Sequence, residues 1–233
     1  MQKVCDMHPP QVVRSEFLSA IGSPALEKID IKLGKHVESR DLSDSIAWRA
    51  VRGLRMIADT IFYKRYVHRA IVLETVAAIP GMVGGIIRHL RSLRNMEDDE
   101  NIRVLLAEAE NERMHLMTWM EVAKPLLIER LIVLGLQGVF FNAYLLVYVV
   151  SPKTAHRFVG YLEEEAVVSY TEMISEIKSG VIANVDAPEI AKKYWNLKED
   201  AKLLDVTLAI RADEAMHRDT NHDIANEIAE GIE

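Results

Sequence analysis

From Leu42 onward, apolar residues recur at intervals of three and four, and alternating β-branched runs are absent. That period predicts helices along nearly the whole segment. A first helix is expected from Ser43, as N-cap, to Tyr66, with Ile46, Ala50, Leu54, Ile57 and Ile61 as its apolar face. A second covers about Val67 to Leu93, where Pro80 removes a backbone donor and should kink it. After the polar loop NMEDDEN, a third runs from about Ile102 to Val122. A long apolar helix then ends at Ser151-Pro152. A fifth spans Thr154 to Lys178, a short one Glu189 to Trp195, and a last long one Leu203 to Ile228. Residues 1–40 carry Pro9, Pro10, Gly22, Pro24 and Gly34 with weak periodicity, and read as an extended arm bearing one short helix. The expected organisation is therefore an arm, 1–40, and one helical domain, 41–233.

Composition adds little to the fold but narrows the partners. The chain has 233 residues, nearly half of them hydrophobic, enough for one sizeable core. A net charge of -7 argues against nucleic acid. The single cysteine, Cys5, excludes an internal disulfide and is read as a free thiol, with redox regulation as the sharper alternative. The N-terminus shows neither a secretory signal nor an obvious organellar transit peptide. Within this acidic chain the first helix is basic and aromatic, with Arg49, Arg52, Arg55, Lys64, Arg65, Trp48, Phe62 and Tyr63. Such helices lie in bilayer interfaces, although an ordinary half-buried helix has the same pattern. Leu131–Val150 is long and apolar enough to cross a membrane. Crossing would put the chemistry-bearing helices on either side of it on opposite faces of the bilayer. It is therefore expected to be a core helix or one sunk in a single leaflet, and Gln137 and Asn142 suit either.

Two helices carry Glu-x-x-His, Glu112/His115 and Glu214/His217. At i and i+3 the side chains share a face and can reach one metal. Alone the motif is weak, since about one such pair is expected by chance among eight histidines. Its companions raise its value. Glu74 lies on a face of small apolar residues, Ala70, Ile71, Ala77 and Ala78, and Glu163 on one with Val159, Gly160, Ala166, Val167 and Tyr170. Of its neighbours, Glu164 is a second inward candidate, whereas Glu165 shares a face with Glu172 and reads as solvated. The order Glu, Glu-x-x-His, Glu, Glu-x-x-His on four helices is the ligand set of ferritin-like dinuclear carboxylate bundles. It also reads as a weak internal duplication. Four apolar-buried carboxylates cost several kcal/mol each unless protonated, paired or neutralised by dications. Carboxylate with imidazole suits iron, manganese or zinc, and the residues do not choose among them.

The motifs LETVA at 73–77, NERMHL at 111–116, LEEEA at 162–166 and RADEAMH at 211–217 resemble the four signature motifs of the alternative oxidases. PGMVGG at 80–85, RFVGY at 157–161 and YWNL at 194–197 extend the resemblance over about residues 47–222. It implies an all-α, ferritin-like four-helix bundle with amphipathic membrane-surface helices. The implied enzyme oxidises ubiquinol and reduces dioxygen to water at two iron ions, without pumping protons, as a homodimer in one leaflet. The implied ligands are Glu74, Glu112, His115, Glu163, Glu214 and His217, the same six that spacing picks out. Tyr170 is implied as a catalytic residue beside Glu74 and Glu163. Arg69, Leu73, Ala166 and Ser169 are implied to line the quinol pocket, with serine at 169 where some members have threonine. Asn111, Asp213, His156, Tyr194 and Trp195 match supporting positions. The expected location is a bacterial inner membrane, cytoplasmic side, or a mitochondrial inner membrane, matrix side. Arg65, Arg94, Arg130, Lys153 and Arg157 are placed at ends of apolar helices, where lipid phosphates lie. The rival readings are a membrane di-iron quinone hydroxylase, a ferritin-like ferroxidase or iron-storage bundle, and a metal-free structural bundle.

Overall fold

The computed structural model describes residues 23–123 and 127–231; Cys5 and most of the arm lie outside them. Eight helical segments are found among these residues. They are α1 (Ser23–Leu26), α2 (Leu42–Ile61), α3 (Tyr66–Asn95), α4 (Asn101–Ala123), α5 (Leu127–Val150), α6 (Pro152–Lys178), α7 (Glu189–Tyr194) and α8 (Leu203–Ala229). The only β feature among the described residues is an isolated antiparallel bridge between Asp186 and Lys202.

Local chemistry sets the ends. The Asp41 carboxylate accepts from the Asp44 amide and caps α2, two residues ahead of the Ser43 cap expected from the sequence. Ser151 caps α6, with Pro152 in its first turn, where a missing N–H costs nothing. Helix α3 continues through Pro80 to Asn95 and closes on Met96 in the left-handed conformation.

Helices α3 and α4 pack together, as do α6 and α8, and these four form the bundle around the chemistry. Two glycines permit the close approach. A Cβ on Gly81 would lie 2.4 Å from the Leu105 carbonyl of α4, and one on Gly160 would lie 2.5 Å from the His222 ring of α8. One apolar cluster joins α4, α6, α7 and α8 around Trp119, Met173, Trp195 and Leu208. A second joins α3, α5 and α6 around Ile79, Val83, Tyr144, Tyr148 and Val159. The described part of the arm packs on the bundle. Leu26 enters the first cluster, and Ile31 meets Val167, Ala212 and Ala215.

Helix α2 packs on α6 through Ala47, Val51 and Ala58, not through the large apolar residues the pattern nominated. Ile46, Leu54, Ile57 and Ile61 are exposed, because a face of small residues lets two helices approach more closely than a face of isoleucines. Among the described residues, two helices are long and apolar enough to cross a membrane. Over half of that stretch in α3 is buried inside the protein, whereas almost none of it is in α5. Helix α5 turns Tyr144 and Tyr148 inward, and Gln137 donates to the Thr75 carbonyl of α3 at 2.8 Å. Its other face, including Leu134, Val139, Leu146 and Val149, stands outside. Of the basic residues expected at helix ends, Arg157 is instead fully buried, donating to Asp44, His222 and Asn226. Lys153 pairs with Asp41 and Asp44.

Candidate metal centre

The six candidate ligands arrive from four helices and are all buried: Glu74 from α3, Glu112 and His115 from α4, Glu163 from α6, Glu214 and His217 from α8. One ligand atom from each of Glu74, Glu112, His115 and Glu214 falls within 4.8 Å of the others. His115 Nδ1 faces oxygens of Glu112, Glu214 and Glu74 at 3.2, 3.3 and 3.5 Å. His217 Nδ1 lies 2.6 Å from Glu112 Oε1 and 3.5 Å from Glu214 Oε2. The Glu163 carboxyl shares a hydrogen bond with Glu214. Glu112 and Glu214 thus sit centrally, between the two imidazoles.

The electrostatics are those of an anionic cage. Burial, together with the neighbouring carboxylates, pushes Glu74 and Glu163 well above the usual carboxylate range. Burial would raise Glu112 too, but the two imidazoles hold it well below. Burial opposes charging of the imidazoles, yet the surrounding carboxylates carry both well above an ordinary histidine. Seven buried atoms of this cluster make no hydrogen bond of acceptable geometry: Glu74 Oε2, both Glu112 oxygens, His115 Nδ1, Glu214 Oε2, and both His217 ring nitrogens. Buried polar atoms are almost always satisfied, so these orphaned carboxylate oxygens and imidazole Nδ1 atoms, facing one another, fit a metal centre.

The flanking residues tune these groups. Asp213 Oδ2 accepts from Trp195 Nε1 at 2.7 Å, from Asn111 Nδ2 at 3.1 Å and from His115 Nε2 at 3.4 Å. That fixes a proton on His115 Nε2 and makes Nδ1, which faces the carboxylates, the nitrogen a metal would take in place of a proton. Trp195 also stacks on His115, and Asn111 donates to the Tyr194 hydroxyl. Tyr170 is buried; its hydroxyl donates to Glu74 Oε1 and accepts from Trp119 Nε1 at 2.9 Å. Burial and the charge of Glu74 hold its phenol protonated, well above the usual range. His156 is not against the ligands: it joins Tyr148 to Asn221, one step removed from them. Glu164 is pinned by His36, the Val37 amide and His222, and Glu165 pairs with Arg52 and Arg55.

Arg69 of α3 and Ser169 of α6 are both tied to α2, and Leu73 and Ala166 lie one turn from them along the same two helices. Arg69 Nη1 donates to Asp59 at 2.5 Å, Arg55 Nε donates to the same carboxylate at 2.8 Å, and Arg55 Nη1 donates to Ser169 Oγ at 2.9 Å. Arg55 and Asp59 are the links that sequence reading did not single out; a basic helix offers no local sign of which arginine turns inward. Glu108 was missed as well. It is buried on α4 one turn before Glu112, and burial pushes its carboxyl up to about 7. Its spacing of four from Glu112 is the only signal in the chain that places it on the ligand face.

Comparison with known proteins bears on this geometry directly. The profile of the family described as alternative oxidase matches residues 25–226. The chain belongs to the alternative oxidase family. It is 55% identical over 231 residues to a mitochondrial ubiquinol oxidase of Batrachochytrium dendrobatidis, covering 98% of this chain and 73% of that one. A ubiquinol oxidase of Trachipleistophora hominis is 55% identical over 214 residues, 91% of this chain and 67% of its own. Ubiquinol oxidase 1c of Arabidopsis thaliana is 58% identical over 195 residues, 83% of this chain and 59% of the plant protein. The four motif segments that carry the family resemblance are the ones that bring the six candidate ligands into the cage.

Proposed function

We propose that this alternative oxidase family member is a ubiquinol oxidase that reduces dioxygen to water at two iron ions. The observation that carries the reading is the converging set of orphaned buried carboxylate and imidazole atoms in a chain of this family. Two iron ions held by Glu74, Glu112, His115, Glu163, Glu214 and His217 would supply the redox couple between quinol and dioxygen. Two quinols yield four electrons and four protons, which balance one dioxygen going to two waters.

The residues of this chain do the rest. Arg69 offers its buried Nε, which makes no hydrogen bond, to a quinol oxygen. On this reading Leu73 and Ala166 would flank that position, beside the hydrogen bond from Arg55 to Ser169. Ser169 adjoins Tyr170 in sequence, and Arg69 lies just over one helical turn before Glu74, so an oxidised headgroup there is close to the cage. Tyr170 holds a proton on its hydroxyl directed at Glu74, the arrangement that lets electron and proton leave the phenol together. The exposed apolar faces of α2 and α5 support a place in one leaflet of a membrane, where quinol is dissolved. The homodimer, the absence of proton pumping and the mitochondrial or bacterial inner membrane are carried by the family alone.

The test is oxygen uptake. The full chain in detergent, loaded with iron, is expected to consume one dioxygen per two ubiquinols and to release unmodified quinone. A hydroxylated quinone product, or equal turnover with zinc in place of iron, overturns the reading.

A further inference from the structure

The two imidazoles of the cage are not treated alike. Behind His115 stands Asp213, a carboxylate from the opposite helix, α8, accepting from Nε2. The Nε2 of His217 is buried and makes no hydrogen bond. In the repeated motif Asn111 is to His115 what Asp213 is to His217, so an exact duplication would set Asn111 behind His217. Asn111 is an amide, and it donates instead to Asp213 and receives nothing from His217.

The carboxylate that does lie on this side is Glu108, on α4, opposite His217 on α8. Both of its oxygens accept from Asn221 Nδ2, at 2.9 and 3.0 Å. The same nitrogen is 3.0 Å from the carbonyl of His217 itself, so one amide fastens the carboxylate to the imidazole's own helical turn. The charges of Glu108 and His217 act on each other's proton affinity.

Asn221 is in turn held from outside. Its Oδ1 can only accept, so His156 Nδ1 carries the proton in their 2.9 Å bond. His156 Nε2 must then accept from the Tyr148 hydroxyl, 3.1 Å away. That hydroxyl accepts from Arg88 Nε at 3.1 Å, and Arg88 is paired with Asp99 at 3.0 Å. Every donor in the series points the same way, from Arg88 towards Glu108. An ordered run of this kind costs entropy and desolvation, and it ends on a carboxyl beside the second imidazole.

We propose that Glu108 is a positioning residue for His217, a buried carboxylate that backs the second imidazole through the shared Asn221 amide and not, as Asp213 does for the first, through a bond to the ring, with Asp99–Arg88–Tyr148–His156–Asn221 as the clamp that orients it. The inference rests on the two-metal reading above. It concerns how tightly the ion on the His217 side is held, and by what geometry. Partners of this kind fix the ring and raise its basicity, and their loss weakens metal binding about 10- to 100-fold.

Cobalt(II) titration of the metal-free full chain in detergent, against a chelating dye, tests it. Wild type is expected to bind two ions. Glu108→Gln keeps the shape and should weaken one ion about 10- to 100-fold, change only that ion's visible absorption bands, and leave the melting temperature of the metal-free chain unlowered. Asn221→Ser, which keeps Glu108 but frees it, should weaken the same ion by less. In a His217→Ala background Glu108→Gln should add no further loss. Two ions bound at wild-type affinity with unchanged bands in both Glu108→Gln and Asn221→Ser overturns the inference alone. So does a full effect of Glu108→Gln without His217. A wild-type chain that binds no cobalt overturns the metal centre, and this inference with it.

Discussion

Helices α4 and α5 are neighbours in the chain and similar in length, and they invert the usual rule in opposite directions. Helix α4 turns Glu108, Asn111, Glu112, His115 and Thr118 into the interior. Helix α5 turns Leu134, Val139, Leu146 and Val149 out of it. Each would be unfavourable in an ordinary soluble domain. Buried carboxylates are costly until something cationic joins them, and a broad apolar face in water is a contact site awaiting its partner. On our reading both helices are built for companions other than protein: dications for α4 and lipid for α5.

The sharpest way to break the α4 side is Glu112→Ala. Glu112 meets both imidazoles, at 3.2 and 2.6 Å, closer to each than Glu214. Its loss should reduce oxygen uptake by at least about a thousandfold, some 4 kcal/mol of barrier, and lower bound iron below two per chain by metal analysis. Retained iron with near-normal uptake would remove the cage from the mechanism.

Tyr170→Phe separates chemistry from metal binding. It removes the donor to Glu74 and the acceptor for Trp119, leaving a buried N–H unpaired at a cost of about 1–3 kcal/mol. Quinol turnover should fall about a hundredfold while iron content stays at the wild-type level, read by oxygen electrode and metal analysis on the same sample.

The α5 side is tested by Leu134→Asp with Val139→Asp. Val139 is 72% exposed and Leu134 67% exposed, so neither substitution disturbs the core. Burying such side chains in lipid is worth about 1.5–3 kcal/mol each. Co-sedimentation with liposomes should drop at least tenfold, and metal content should not change. Unaltered sedimentation would take α5 out of the membrane contact.

The smallest effect lies at His156 of α6, which bonds Tyr148 of α5 and Asn221 of α8. Burial pushes its imidazole down to about 3. Below pH about 6.5 the unfolded chain takes up a proton here that the folded chain refuses, so stability falls as pH drops from 6.5 towards 3. From pH 6.5 to 5 this residue costs about 2 kcal/mol. His156→Gln lacks that slope, so the stability advantage of wild type over the variant should shrink by that amount between pH 7 and 5 in denaturant titrations.

The helices were legible because each runs long enough for the 3.6-residue period to show, and their ends moved by only a few residues once caps such as Asp41 were seen. The candidate ligands were legible because Glu-x-x-His is a local motif and Glu74 stands alone on a small apolar face; Glu163 was separated from Glu164 only by the packing that gives Glu164 to His36 and His222. The orientation of α2 was not legible. Its large apolar residues and its alanines both form stripes, and only packing against α6 reveals that the small ones face inward. The same holds for Arg157, whose long side chain reads as a surface cation until Asp44 and Asn226 are found around it.

By itself, then, the sequence determined an all-helical chain carrying two copies of one ligand motif, since both are properties of local spacing, and its four motifs carried the resemblance to the alternative oxidases. Only the tertiary structure decided which side chain stands behind which ligand. Asp213 reaches His115, Glu108 is held on the turn of His217 and Arg55 meets Ser169, each across dozens of residues of chain and each between different helices. Such pairings leave no period in the sequence, because they depend on how two helices are rotated against each other and not on the order of residues along either one.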